Sequence, residues 1–214
     1  MLDESFERKA RPRLKGAAFL VRYADDFVLG FQHESDARRV LEVLPKRSAK
    51  YVLTIHPEKS RLVRFERPPR GPEPDASEER RPPEAFDFLG FTHSWSRSLG
   101  GHPVVKRKTA RNRLSRGLKV ISAWCRGHPH LPVAEQHAVL SQNLTGHYAS
   151  YGITGNSVAL GMFRHLATRT WRRWLSRQRR DGTIPWAEYN RLLARYPLPA
   201  AIAVHSVCRP VASL

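Results

Sequence analysis

Cysteine is nearly absent from this 214-residue chain, with Cys125 and Cys208 the whole complement. Two thiols are too few for a disulfide framework, which excludes the small stapled secreted scaffolds and fits a reducing cytosol. Long apolar runs are missing as well. None approaches the ~20 residues that a membrane-spanning helix needs, and no signal peptide opens the chain, so no membrane partner is expected. The stretch Cys125-Arg126-Gly127-His128-Pro129-His130 suggests zinc but lacks a fourth ligand at suitable spacing. No internal repeat is visible.

Acidic residues run short in one half only. The chain has 37 Lys and Arg against 19 Asp and Glu, a formal charge of +18 and a sequence pI near 11.0. Residues 1–105 are almost balanced, with 19 basic and 16 acidic side chains, whereas residues 106–214 carry 18 basic and 3 acidic. The second half is therefore the electrostatic footprint of a polyanionic partner, and its affinity for phosphates should depend steeply on salt.

What the first half does have is an acidic pair set between two apolar runs. Ala17-Ala18-Phe19-Leu20-Val21 precedes Tyr23-Ala24-Asp25-Asp26, and Phe27-Val28-Leu29-Gly30-Phe31 follows it. Two β-prone runs around a short polar step read as a hairpin with both carboxylates at its tip. Like charges that close repel, and Mg²⁺ relieves the repulsion, since it takes one or two carboxylates together with substrate phosphates and water. That is the equipment of two-metal nucleotidyl transfer. The plainer alternative is a surface turn that contains Asp-Asp.

Further landmarks follow in order. Glu34 to Tyr51 reads as an amphipathic helix with Ala37, Val40, Leu41 and Leu44 on one face. Next come Tyr51-Val52-Leu53-Thr54-Ile55-His56-Pro57-Glu58-Lys59-Ser60 and then Phe86-Asp87-Phe88-Leu89-Gly90-Phe91-Thr92-His93, where a Leu-Gly step within a strand pattern suggests close backbone approach. Between them, Arg67 to Pro83 is Pro-rich, highly charged and without apolar period, the composition of a disordered excursion. A hairpin is expected across residues 93–105.

From Lys106 the period becomes helical. Leu114, Leu118, Ile121 and Cys125 mark one helix, Leu140, Leu144, Tyr148 and Tyr151 a second over 133–151, and Ala159, Phe163, Leu166, Thr170 and Trp174 a third over 156–179. The third is rich in arginine, including Arg172, Arg173, Arg177 and, just beyond it, Arg180. Pro185-Trp186 opens a shorter helix toward Tyr196.

In this order the landmarks resemble the palm of reverse transcriptases, specifically the bacterial group II intron-encoded kind. The Asn143-Leu144-Thr145-Gly146-His147-Tyr148 and Trp171-Arg172-Arg173-Trp174-Leu175 stretches resemble its thumb, or maturase region. The resemblance implies an α+β fold: the C-terminal half of a palm over 1–105, with a loose loop at about 67–85, an all-α thumb over 106–196 and a Pro-containing tail over 197–214. It implies an RNA-directed DNA polymerase in the bacterial cytoplasm, active in retrotransposition and intron splicing. Asp25 and Asp26 would hold Mg²⁺ in a two-metal site, and Lys59 would approach the incoming dNTP unless it is an ordinary surface lysine. Tyr23 and Ala24 would lie beside the primer terminus, and Phe88, Leu89 and Gly90 would grip it, although a buried core strand also accounts for the phenylalanines. Arg172, Arg173, Arg177 and Arg180 would hold RNA. Partners implied are intron RNA, an RNA template/DNA primer duplex, dNTP and an N-terminal fingers/palm half bearing a further metal-binding carboxylate, because the chain opens only one short helix before the hairpin. Asp3, Glu4 and Glu7 in that lead-in are not expected to replace the missing ligand. The alternative is a non-catalytic RNA-binding splicing factor acting through the thumb.

Overall fold

The computed structural model describes residues 2–49, 55–56, 60–68, 84–98, 100–179 and 182–205. The fold is α+β, with antiparallel hairpins and a helix followed by an all-α bundle. The chain divides into two compact units, Met1–Leu89 with His93–Val105, and Gly90–Thr92 with Lys106–Leu214.

The first unit opens with a short helix, α1 (Leu2–Ser5), continued by a π-helical turn and a 3₁₀ turn through Arg13. Phe6 is buried, with its ring edge-on to Phe31 at 6.4 Å. Strands β1 (Ala18–Tyr23) and β2 (Asp26–Phe31) pair antiparallel, and helix α2 (Glu34–Ala49) follows. The buried Asp36 at the start of α2 accepts hydrogen bonds from the backbone N–H groups of Lys15 and Gly16 at 2.9 and 3.2 Å. One carboxylate thereby fixes the segment that enters β1. Strands β3 (Phe86–Phe88), β4 (Phe91–Arg97) and β5 (Pro103–Thr109) form a separate three-stranded sheet in sequence order. Phe65 stacks on Trp95 at 5.5 Å and meets Phe86 edge-on at 5.0 Å, and the Glu84 N–H donates to the Arg64 carbonyl at 2.9 Å. Residues 69–83 of the expected loose loop lie outside the described residues.

The second unit packs four helices, α3 (Arg111–Gly127), α4 (Val133–Tyr151), α5 (Ser157–Arg177) and α6 (Trp186–Arg195). Its core centres on Ile121, Leu140, Leu144, Leu160, Phe163, Trp171 and Tyr189. The buried stripe of α5 runs Leu160, Phe163, Ala167, Trp171 and Leu175, about one residue on from the stripe that the apolar pattern suggests. The two tryptophans explain the shift. The Trp171 indole N–H donates to the buried Gln136 Oε1 at 3.0 Å, so this ring can leave water with its donor satisfied. Trp174 stays half-buried, donating to the Ser122 hydroxyl at 3.1 Å beneath the Arg177 guanidinium.

Two features tie this unit together. Residues 197–205, expected as a tail, fold onto the helices: Leu198 is buried, the Tyr148 hydroxyl donates to the Pro199 carbonyl, and the Val204 and His205 N–H groups donate to the Gly152 carbonyl. The buried Asn156, just before α5, accepts from the Thr109 N–H at 3.0 Å and donates to the Thr109 hydroxyl at 2.7 Å and the Tyr151 carbonyl at 2.8 Å. Replacing Asn156 with Leu leaves those groups without their partner in a dry site. Urea denaturation of the full chain is expected to show a loss of about 2–4 kcal/mol. A loss below about 0.5 kcal/mol would mean that water replaces the amide at no cost.

Candidate functional site

The pairing of β1 with β2 runs from Ala18 opposite Phe31 to Tyr23 opposite Asp26, which leaves Ala24 and Asp25 as a two-residue turn. Asp25 therefore sits at the tip, and Asp26 opens the returning strand. Two-residue hairpins favour left-handed backbone at their central positions, and Ala24 adopts it with φ 51°. For a residue with a Cβ that conformation costs about 1–2 kcal/mol. Tyr23, Ala24, Asp25 and Asp26 are all exposed. Neither carboxylate has a hydrogen-bond or ion-pair partner among the described residues. Two adjacent carboxylates with no cation on them suit a hard divalent ion bound through oxygen. Asp25 and Asp26 would hold Mg²⁺, which when bound activates a hydroxyl nucleophile and steadies phosphate charge.

The other nearby acids are engaged elsewhere. Asp3 pairs with Arg22 at 2.7 Å, Glu4 with Arg8 at 3.0 Å and Glu7 with Arg11 at 2.6 Å. No group of three or more His, Cys, Asp or Glu side chains suited to a metal occurs among the described residues. Cys125 is in the core, where burial pushes its thiol up to about 11, and His128 stacks on Trp124 at 4.8 Å.

A second two-residue turn shares the left-handed first position of the first. Leu89 and Gly90 join β3 to β4 with φ 51° and 81°, both left-handed. Leucine there is costly, whereas glycine is not. A Cβ on Gly90 would come within 3.1 Å of the Tyr151 ring, and the Gly90 carbonyl accepts from the Ala110 N–H at 2.9 Å. Leu89 is exposed, and Phe88 is half-buried beside His93 at 6.5 Å between ring centroids.

The arginines of α5 differ in what they do. The Arg172 guanidinium donates twice to the Ile184 carbonyl, at 2.9 and 2.5 Å, and lies 4.1 Å over the Trp186 ring. It is half-buried and holds the segment after α5 against the helix. Arg173 is exposed, and Arg177, also exposed, lies 4.6 Å over Trp174. Lys59 and Arg180 lie outside the described residues.

One feature of the helical unit is not apparent from the sequence. A hollow of about 300 Å³ opens between α3, α4 and α5. A Cβ on Gly117 of α3 would come within 2.9 Å of the Phe163 ring, so the close approach of α3 to α5 requires a glycine there. Phe163 in turn stacks on His147 at 3.7 Å. His147 is 9% exposed, and its Nε2 is buried with no partner among the described residues. Burial holds its ring down at about 4, so the imidazole is neutral at pH 7.

The geometry of the acidic hairpin stands beside one family match. Residues 2–93 match the family model for reverse transcriptase (RNA-dependent DNA polymerase). No curated protein and no solved structure matches the chain. The reverse-transcriptase match takes in the acidic hairpin, α2, β3 and the Leu89-Gly90 turn, and it ends before α3. Among the described residues no helix is long and apolar enough to cross a membrane.

The state of His147 carries a pH prediction. Its folded value, about 4, lies below the ordinary 6.5, so between these values the unfolded chain binds a proton that the folded chain does not. Its contribution is whole above pH 6.5 and declines as pH falls toward 4. The loss should be about 3 kcal/mol once the pH is below 4. Urea denaturation at pH 7 and pH 4.5 should show a smaller fall for His147→Gln than for the parent chain, and parallel falls would remove His147 as the cause.

Proposed function

We propose that this chain carries the catalytic hairpin, the primer-grip turn and an RNA-binding thumb of an RNA-directed DNA polymerase of the group II intron-encoded kind. The observation that carries the reading is the exposed Asp25-Asp26 pair, without a protein cation among the described residues, on a left-handed turn inside the reverse-transcriptase match. Asp25 and Asp26 bind Mg²⁺, and Tyr23 and Ala24 border the primer end. The turn at Phe88, Leu89 and Gly90 supports the primer strand, and Lys59 neutralises the triphosphate. The first unit is then palm and the second thumb. Intron RNA, an RNA template/DNA primer duplex and dNTP are the partners, in the bacterial cytoplasm. Phe19, Val21 and Tyr23 alternate along β1 and are 59%, 47% and 67% exposed, an apolar face that further palm and fingers segments would cover.

A second reading has its own support. Arg113, Arg116 and Arg173 are exposed without an ion pair among the described residues, and on this reading the helical unit acts as a splicing factor that binds RNA without polymerising. Primer extension separates the two. The 214-residue chain alone, with RNA template, DNA primer, dNTP and Mg²⁺, is expected to give no templated product, because its metal would be underliganded. An upstream palm and fingers polypeptide supplied by co-expression should restore synthesis, and Asp25→Ala should abolish it. Synthesis that survives Asp25→Ala would refute the assignment of Asp25. RNA binding without synthesis in any combination would favour the splicing role.

The arginines make a separate test. Arg173→Gln with Arg177→Gln should weaken binding to structured RNA and reduce the log–log salt slope by about 0.7–0.9 per lost phosphate contact. Replacing Arg38, Arg39, Lys46 and Arg47 of α2 should change the slope much less, since Arg38 is already paired with Glu34 at 2.6 Å. Arg172→Gln should instead lower thermal stability, because Arg172 holds Ile184 and Trp186. Equal slope losses from both sets would mean diffuse electrostatics.

A further inference from the structure

The hollow in the helical unit has the composition of a ligand site. Its inner wall is aromatic, formed by Phe163, Tyr151 and the buried ring of His147. Arg113 and Arg116 line it from α3, are exposed, and have no ion pair among the described residues. Asn143 and Ser150 add polar edges, each already donating to a carbonyl of its own helix. Among the described residues no acidic side chain lines it. A neutral imidazole offers one donor and one acceptor, and the buried Nε2 of His147 lacks a partner in the described protein. A ligand that supplies that partner recovers the cost of a buried unsatisfied nitrogen.

We propose that this hollow binds one unstacked nucleotide of a single-stranded RNA segment, with the base against His147 and Tyr151 and the phosphate on Arg113 and Arg116. The proposal rests on the reading of the helical unit as an RNA-binding surface and names the nucleotide pocket within it. A volume of about 300 Å³ lies at the small end of ligand pockets, too small for a stacked duplex. Sequence-tolerant RNA proteins hold splayed bases on aromatic and arginine faces and hydrogen-bond their edges. The aromatic interior with cations on its outer helix favours a base inside and a phosphate outside. A bare phosphate would have to lose its water against Ile121 and Phe163. Lys119, exposed three residues beyond Arg116 on α3, continues the positive track that a strand needs and a free nucleotide does not.

Glycine offers a way to close the hollow without damaging the fold. Gly146 lines it from α4, and a Cβ there meets nothing within 4 Å. Gly146→Leu fills the space and strengthens the helix, so the melting temperature should not fall. Gly161 of α5 is equally open and does not line the hollow, so Gly161→Leu is the control. Fluorescence anisotropy is read with a labelled single-stranded oligoribonucleotide of mixed sequence and with a blunt RNA duplex. Gly146→Leu is expected to weaken the single strand about tenfold or more and to leave duplex binding unchanged, with Gly161→Leu changing neither. The His147 imidazole nitrogen signals of the parent chain should shift on adding the single strand.

Unchanged single-strand binding by Gly146→Leu would overturn the proposal, as would equal losses on single strand and duplex. AMP or inorganic phosphate bound as tightly as the oligonucleotide, and blocked by Gly146→Leu, would assign the hollow to a free ligand instead of RNA. Duplex bound normally with no effect of Gly146→Leu leaves the thumb reading standing and removes only the pocket. If the parent chain binds neither RNA, the thumb reading fails and the pocket fails with it.

Discussion

One buried amide sets the frame of the helical unit. Asn156 holds the backbone and hydroxyl of Thr109 at the end of β5 and the carbonyl of Tyr151 at the end of α4, and it stands directly before α5. Only Ala110 separates Thr109 from α3. A single side chain therefore fixes the start of α3, the end of α4 and the start of α5 relative to one another. An apolar residue could fill the volume but would define no orientation, whereas three directed hydrogen bonds in a dry site tolerate little displacement. The close approach of Gly117 to Phe163, the stack of Phe163 on His147 and the hollow between the three helices all lie downstream of that junction.

The first unit depends on a constraint of a different kind, stored in backbone. Ala24 and Leu89 are the only non-glycine residues with positive φ among the described residues, and each sits in a landmark that resembles a polymerase motif. Glycine at either position would relieve the cost. The chain keeps a side chain at both and so carries local backbone strain at both turns. Tight turns also explain the exposure of the carboxylates. A longer loop would give Asp25 and Asp26 freedom to find an arginine, as Asp3, Glu4 and Glu7 have done.

Local signals were the legible ones. The acidic hairpin is readable because two β-prone runs flank a step too short for anything but a turn, and α4 is readable to the residue because Pro132 precedes it and Gly152 ends it. The core stripe of α5 is harder, since Trp171 and Trp174 are equally apolar as letters, and what separates them is Gln136, 35 residues earlier. Arg172 is illegible for the same reason. Among neighbouring arginines it looks like one more phosphate contact, and its partners Ile184 and Trp186 come from beyond the helix. Asn156 reads as no more than the first residue of the third helix until Thr109 arrives from 47 residues away. The hollow draws on three helices, so no single periodicity contains it.

Scarcity of acid in the second half has a consequence beyond net charge. With Glu188 the one acidic side chain paired there among the described residues, to Arg179 at 2.6 Å, the arginines turn to other acceptors. Arg172 takes a carbonyl and an indole, Arg177 an indole, and Arg164 the carbonyls of Leu198 and Pro199. A guanidinium bound that way keeps its full charge, and its position is set by the fold before any ligand arrives. The positive surface is thus partly pre-ordered, which reduces the entropy lost when a phosphate binds. Arg113, Arg116 and Arg173 have no such tether among the described residues and remain open for contacts that the fold itself does not make. Charge counted from composition treats all these arginines alike. Their partners divide them into those that build the surface and those left to use it.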